Sequence, residues 1–111
     1  MNSNDVFSKL FKTIEDRKSS NPEESYVASL MHKGTKKINE KILEEANEVC
    51  EAAIAITNDK THLTYEICDL MFHAFVLAGY NNISLDEIAA ELARRFDKSG
   101  LEEKANRNKK N

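Results

Sequence analysis

The sequence predicts an all-α fold, an antiparallel bundle of about five helices in one domain. Three observations predict it. One Pro and three Gly in 111 residues leave few points where a helix must break. Apolar residues recur at steps of three and four along most of the chain. Helix-start chemistry, at Asn21-Pro22, Thr35 and Ser84, stands ahead of successive apolar runs. The length suits a single domain, which we assign to residues 1–96. Residues 97–111 are read as a polar, disordered tail.

The first helix is expected from Asp5 to about Arg17, with Val6, Phe7, Leu10, Phe11 and Ile14 on its apolar face and Ser3 or Asn4 as its cap. Lys18 to Asn21 is a polar break. Asn21 then caps a short second helix, Pro22 takes its first position, and Glu23 and Glu24 favour the positive end of its dipole. It carries Tyr26, Val27, Leu30 and Met31 and stops near Lys33-Gly34, with Gly34 in the left-handed conformation. Thr35 caps a long third helix, about Lys36 to Ile56. The polar turn Thr57-Asn58-Asp59-Lys60 folds it back against a fourth, about Thr61 to Gly79 or Tyr80. Ser84-Leu85-Asp86-Glu87 is a capping box that opens a fifth helix through Ile88, Leu92 and Phe96. The remainder, KSGLEEKANRNKKN, is too polar to bury a face.

A net charge of −3 and a pI near 5.6 argue against a general nucleic-acid binder. The polar N-terminus lacks the pattern of a signal peptide, and no apolar stretch is long enough for a membrane span. A cytoplasmic protein is therefore expected. Cys50 and Cys68 show no metal or redox spacing and are expected as small buried hydrophobes.

Two acid clusters carry the chemistry. Glu44, Glu45 and Glu48 lie on the third helix, and Glu66 and Asp69 on the fourth, with His73 one turn further on. At about 100° per residue, His62, Glu66, Asp69 and His73 fall within an arc of about 60°. The rest of that helix is almost wholly apolar, so it should be buried on nearly every side, with its polar stripe facing a cleft. On the third helix Ile38, Ile42, Ala46, Val49, Ala53 and Ile56 form the apolar stripe, and Glu45 stands at its edge. The hairpin turn lies at similar chain distances from both clusters, which sets them side by side. Desolvated carboxylates in such a gap need protons or a cation. Mg²⁺, a hard ion commonly shared between carboxylates and phosphates, suits them. Ser25, Tyr26, Lys33, Lys41, His73, Arg94 and Arg95 are candidate contacts to phosphate or sugar, with Glu44 beside them. Apolar surface at Phe72, Phe75 and Val76 leads us to expect a homodimer that completes the bundle core.

At these residues the chain resembles phosphoribosyl-ATP pyrophosphohydrolases, the histidine-biosynthesis enzymes of the all-α, MazG-like nucleotide pyrophosphatase superfamily. The stretches PEESYVASLMHKG, KILEEANEVCEAA, YEICDLMFHAFVL and SLDEIAAELARR carry the likeness across residues 22–95. The superfamily's paired acid motif falls on Glu45, Glu48, Glu66 and Asp69. Leu43 and Asn47 depart from the usual pattern without touching an acid. The resemblance implies Mg²⁺-dependent hydrolysis of phosphoribosyl-ATP between its α and β phosphates, with Glu45 or Glu48 as base. It also admits a separate cyclohydrolase as the partner that takes the product. Three alternatives share parts of the pattern: a house-cleaning nucleoside triphosphate pyrophosphatase, a di-iron carboxylate bundle, and a helical interaction module with solvated acids.

Overall fold

The computed structural model describes residues 2–97, residue 100 and residues 104–107. Among residues 2–97 five α-helices follow one another: α1 (Ser3–Arg17), α2 (Tyr26–Lys33), α3 (Thr35–Ile54), α4 (Thr61–Tyr80) and α5 (Leu85–Arg94). A 3-10 turn covers Arg95–Asp97, and no strand occurs among the described residues. The all-α expectation holds. Of the tail read as disordered, residue 100 and residues 104–107 are helical. Residues 98, 99, 101–103 and 108–111 lie outside the described residues.

The caps explain where the helices start. Asn2, rather than Ser3 or Asn4, caps α1: its Oδ1 accepts the Asp5 N–H at 3.0 Å. Asn21 caps only a turn. Its Oδ1 accepts the Glu23 N–H at 2.9 Å, and its carbonyl accepts from Glu24 and Ser25. Pro22, Glu23 and Glu24 are exposed and have no apolar face to bury, so this turn does not propagate. The helix begins instead behind Ser25, whose Oγ accepts the Ala28 N–H at 3.2 Å. Ser84 is the expected cap of α5, accepting the Glu87 N–H at 3.1 Å.

Gly34 joins α2 to α3 with a single residue. Its N–H donates to the Leu30 carbonyl and its own carbonyl accepts from Ile38. Its φ of 90° and ψ of −173° lie in an extended region that is essentially reserved for glycine, not in the left-handed helical region expected from sequence. Thr35 is consequently the first residue inside α3, not its cap.

The α3–α4 hairpin is the frame, two 20-residue helices packed along their length. α1 and α2 cover only the end where α3 starts and α4 finishes. There Ile14, Val27, Leu30, Ile38 and Val76 form the core, with Leu10, Met31, Ile42, Phe72, Phe75 and Leu77 against it. α1 approaches α4 closely at Gly79, where a Cβ would stand 2.8 Å from Ile14 Cγ2. The turn end of the hairpin projects beyond this core. Ile54 is 87% exposed, and Ile56, Tyr65 and Ile67 are also exposed; Leu43, midway along α3, faces solvent as well. The expectation that α4 is buried on nearly every side therefore fails for a single chain. Cys50 and Cys68, expected to be buried, are exposed for the same reason. The radius of gyration, 16.2 Å, exceeds the roughly 13 Å of a compact domain this long.

Gly34→Ala should cost about 1–3 kcal/mol, read as a lower urea midpoint with an unchanged slope. Gly34→Asn should be no better, since asparagine tolerates the left-handed helical region but not this one. Wild-type stability in Gly34→Asn would contradict the assigned backbone.

Candidate active site

Glu45 and Glu48 are one turn apart on α3, and Glu66 and Asp69 one turn apart on α4. The hairpin turns the two pairs toward each other. Among the described residues, Glu45, Glu48 and Glu66 each offer one carboxylate oxygen, and these atoms lie within 4.8 Å of one another. Glu45 and Glu66 are each only 7% exposed, whereas Glu48 opens to solvent. Glu45 sits within the buried seam of α3, in line with Ile38 and Ala52, rather than at the edge of its apolar stripe. Asp69 is half-buried next to this trio, and its charge acts on both Glu45 and Glu66.

The electrostatics are those of crowded, under-compensated acids. Burial pushes the Glu45 carboxyl above its ordinary value, and the charges of Glu48 and Asp69 push the same way against His73 and Lys41. Burial also raises Glu66, reinforced by the neighbouring Glu48 carboxylate, with His62 opposing. Lys41 Nζ reaches Glu44 at 3.4 Å and Glu45 Oε1 at 3.9 Å. His62 Nδ1 stands 4.0 Å from Glu66 Oε1 and is largely exposed. The second oxygens, Glu45 Oε2 and Glu66 Oε2, are buried with no hydrogen-bond partner among the described residues. A cation with oxygen preference fits this donor set: three carboxylates, no imidazole in the group, and two buried oxygens in need of charge. A cleft of about 340 Å³ opens beside them, lined by Glu48, Glu51, Ala52, Ala55, His62 and Glu66.

The other candidates divide by location. Tyr26 and His73 are joined: the Tyr26 hydroxyl lies 2.8 Å from His73 Nε2, and His73 Nδ1 lies 2.7 Å from the Asp69 carbonyl oxygen. Sequence spacing holds no sign of this pairing, since the two residues lie 47 positions apart in the chain. Ser25 is buried and its hydroxyl oxygen serves as the α2 cap. Lys33 is exposed at the far end of α2, seven residues or about 10 Å along the axis from Tyr26. Arg94 and Arg95 both pair with Glu91, at 2.7 and 2.9 Å, and their hydrogen bonds hold its carboxyl down to about 2. α5 borders α4 at Met71 and Phe75, about 140° and 180° around the helix from Glu66. Within one chain the two arginines therefore stand on the opposite side of α4 from the acids.

These shifts set a pH dependence. A carboxyl raised in the folded state weakens the fold once ionised, so that penalty is absent well below its raised value and full above it. Glu91 has the opposite sign: its contribution is present above the ordinary value of 4.5 and lost as pH falls toward about 2. In chelator, Glu45→Gln/Glu66→Gln should melt higher than wild type at pH 7, and the gap should close as pH falls to about 4.5. A gap that stays constant over that range would contradict the burial of the two acids.

The sequence that builds this site has relatives among known proteins. The family model for phosphoribosyl-ATP pyrophosphohydrolase matches residues 7–96. The chain is 49% identical over 105 residues to a phosphoribosyl-ATP pyrophosphatase of Ruthia magnifica, covering 95% of this chain and 98% of that one. It is 48% identical over 104 residues to the protein of that name from Neisseria meningitidis, covering 92% and 94%. The protein of that name from Hydrogenovibrio crunogenus is 46% identical over 109 residues, with 96% of each chain covered. With the match spanning all five helices and both acid pairs, the chain belongs to the phosphoribosyl-ATP pyrophosphohydrolase family.

Proposed function

We propose that this protein hydrolyses phosphoribosyl-ATP between its α and β phosphates, yielding phosphoribosyl-AMP and pyrophosphate in histidine biosynthesis, with Mg²⁺ held by Glu45, Glu48, Glu66 and Asp69. Family membership supports the reaction. The observation that carries the metal site is the pair of buried oxygens on Glu45 and Glu66 that have no hydrogen-bond partner among the described residues. They also argue against an interaction module with solvated acids. When bound, Mg²⁺ supplies the positive charge that neutralises phosphate oxygens and acidifies water.

The chain's own residues do the rest. Glu48 is the exposed member of the trio and faces the cleft, so it is placed to take the proton of the attacking water. Glu45 and Glu66, fixed in the helical seam, hold charge at a constant position. Lys41, already beside Glu44 and Glu45, offers its ammonium to a phosphate oxygen at the same edge. The phosphoribosyl-AMP formed is what a cyclohydrolase would take as the next partner. No helix among the described residues is long and apolar enough to cross a membrane, which accords with work in the cytoplasm.

Val76 is fully buried and Phe72 and Phe75 pack against the core, so the apolar surface expected there is already covered within one chain; the exposed apolar turn end of the hairpin supports a homodimer instead. Sedimentation equilibrium should give twice the 12.6 kDa chain mass. A monomer at tens of micromolar would contradict it.

Glu48→Gln should lower kcat for phosphoribosyl-ATP by about 100-fold or more while far-UV dichroism stays native. Mg²⁺ should raise the melting temperature of wild type and not that of Glu66→Gln. Equal Mg²⁺ stabilisation of both would remove Glu66 from the site. Faster turnover of ordinary nucleoside triphosphates than of phosphoribosyl-ATP would favour a house-cleaning role.

A further inference from the structure

His73 is 5% exposed and both of its ring nitrogens are engaged. The partner of Nδ1 is the Asp69 backbone carbonyl, which can only accept, so Nδ1 carries the proton. In the neutral ring Nε2 is then a bare lone pair, and the Tyr26 hydroxyl 2.8 Å away must donate to it. A phenol has a single proton. Once it is committed to His73, the Tyr26 oxygen has only acceptor capacity left. His73, for its part, has no donor left over for a polyphosphate.

Tyr26 nonetheless borders solvent. It is 52% exposed, and its ring is braced by Phe72, with centroids 6.4 Å apart, and by the edge of His73. Lys41, Glu45, Glu44 and Asp69 all act electrostatically on its hydroxyl, which sets it at the rim of the acid group. An acceptor-only oxygen there repels phosphate oxygens, which are acceptors too, and selects a donor. The nearest donors to the α phosphorus of a nucleotide are the hydroxyls of its own ribose, one ester link away. The amino nitrogen and the second ribose of phosphoribosyl-ATP lie beyond the base.

We propose that Tyr26 reads the sugar of the substrate, its oxygen accepting a hydrogen bond from the 2′- or 3′-hydroxyl of the adenosine ribose, and that His73 is a positioning residue that aims the phenol. This inference rests on the reaction assigned above and adds a specificity to it: ribonucleotides over their deoxy forms.

The test compares, at the same alkaline pH throughout, phosphoribosyl-ATP with analogues lacking the adenosine 2′- or 3′-hydroxyl, in wild type and in Tyr26→Phe, which keeps the ring. A parallel calorimetric arm uses ATP, 2′-deoxy-ATP and 3′-deoxy-ATP with Mg²⁺. In wild type, loss of the hydroxyl that is read should raise KM and Kd about tenfold, the size of one neutral hydrogen bond, with kcat within about twofold. Tyr26→Phe should lose the same factor on the ribo substrate and nothing more on that deoxy form. ¹⁵N NMR of the histidine rings at alkaline pH should show His73 protonated at Nδ1. Losses that multiply in Tyr26→Phe, equal use of all three sugars by wild type, or a proton on Nε2 would overturn the inference. No turnover of phosphoribosyl-ATP with sugar discrimination intact in the calorimetric arm would overturn the assigned reaction and leave the hydroxyl contact standing. Turnover without discrimination does the reverse.

Discussion

The central constraint is mutual repulsion among carboxylates confined between two helices. Glu45 and Glu66 are shut into the α3–α4 seam at 7% exposure, within reach of Glu48, and each keeps one oxygen without a partner. Burial in a low-dielectric gap magnifies every charge-charge term. A fold selected for stability alone would place apolar side chains there, as it does at Ile38 and Val76 on the same two helices. The hairpin therefore gives up packing energy at its centre in order to hold charge at a fixed place. That is the pattern of a site, where local rules are broken and the surrounding structure compensates.

The compensation comes from one end of the hairpin. α1 and α2 clamp the Ile38–Val76 end around a small core, and Gly34 and the Ser25 cap set α2 so that Tyr26 meets His73. Through the Nδ1 proton of His73 this contact also ties down the Asp69 carbonyl, at the acid pair of α4. A turn-end hydrophobic surface and an acid cluster on the same hairpin make the single chain look unfinished in two senses, short of apolar cover and short of positive charge. On the function proposed above, a second copy would relieve the first shortage and a cation the second.

Much of this is legible in the sequence, because it is local. The 3.6-residue period placed α3 and α4, the polar turn between them set the acid pairs level, and Ser84 was visible as a cap. Asn21 and Ser25 could not be ranked as caps from sequence, since both residue types suit the role. What decided between them was the lack of anything apolar to bury at Pro22 to Glu24. Gly34 announced a break but not which glycine-only conformation it takes. The burial of Cys50, Cys68 and the rest of α4 was overestimated, because composition records how much apolar surface a helix has and not which neighbour covers it. The Tyr26–His73 contact and the position of Arg94 and Arg95 across α4 from the acids are long-range outcomes of packing, with no spacing to announce them.

The most direct measurement is anomalous diffraction from crystals of the full chain saturated with Mn²⁺ in place of Mg²⁺. An anomalous peak is expected between α3 and α4, coordinated by carboxylate oxygens of Glu45, Glu48, Glu66 and Asp69. Metal-saturated crystals with no peak there, and with the buried oxygens of Glu45 and Glu66 satisfied instead by protons or protein donors, would contradict it.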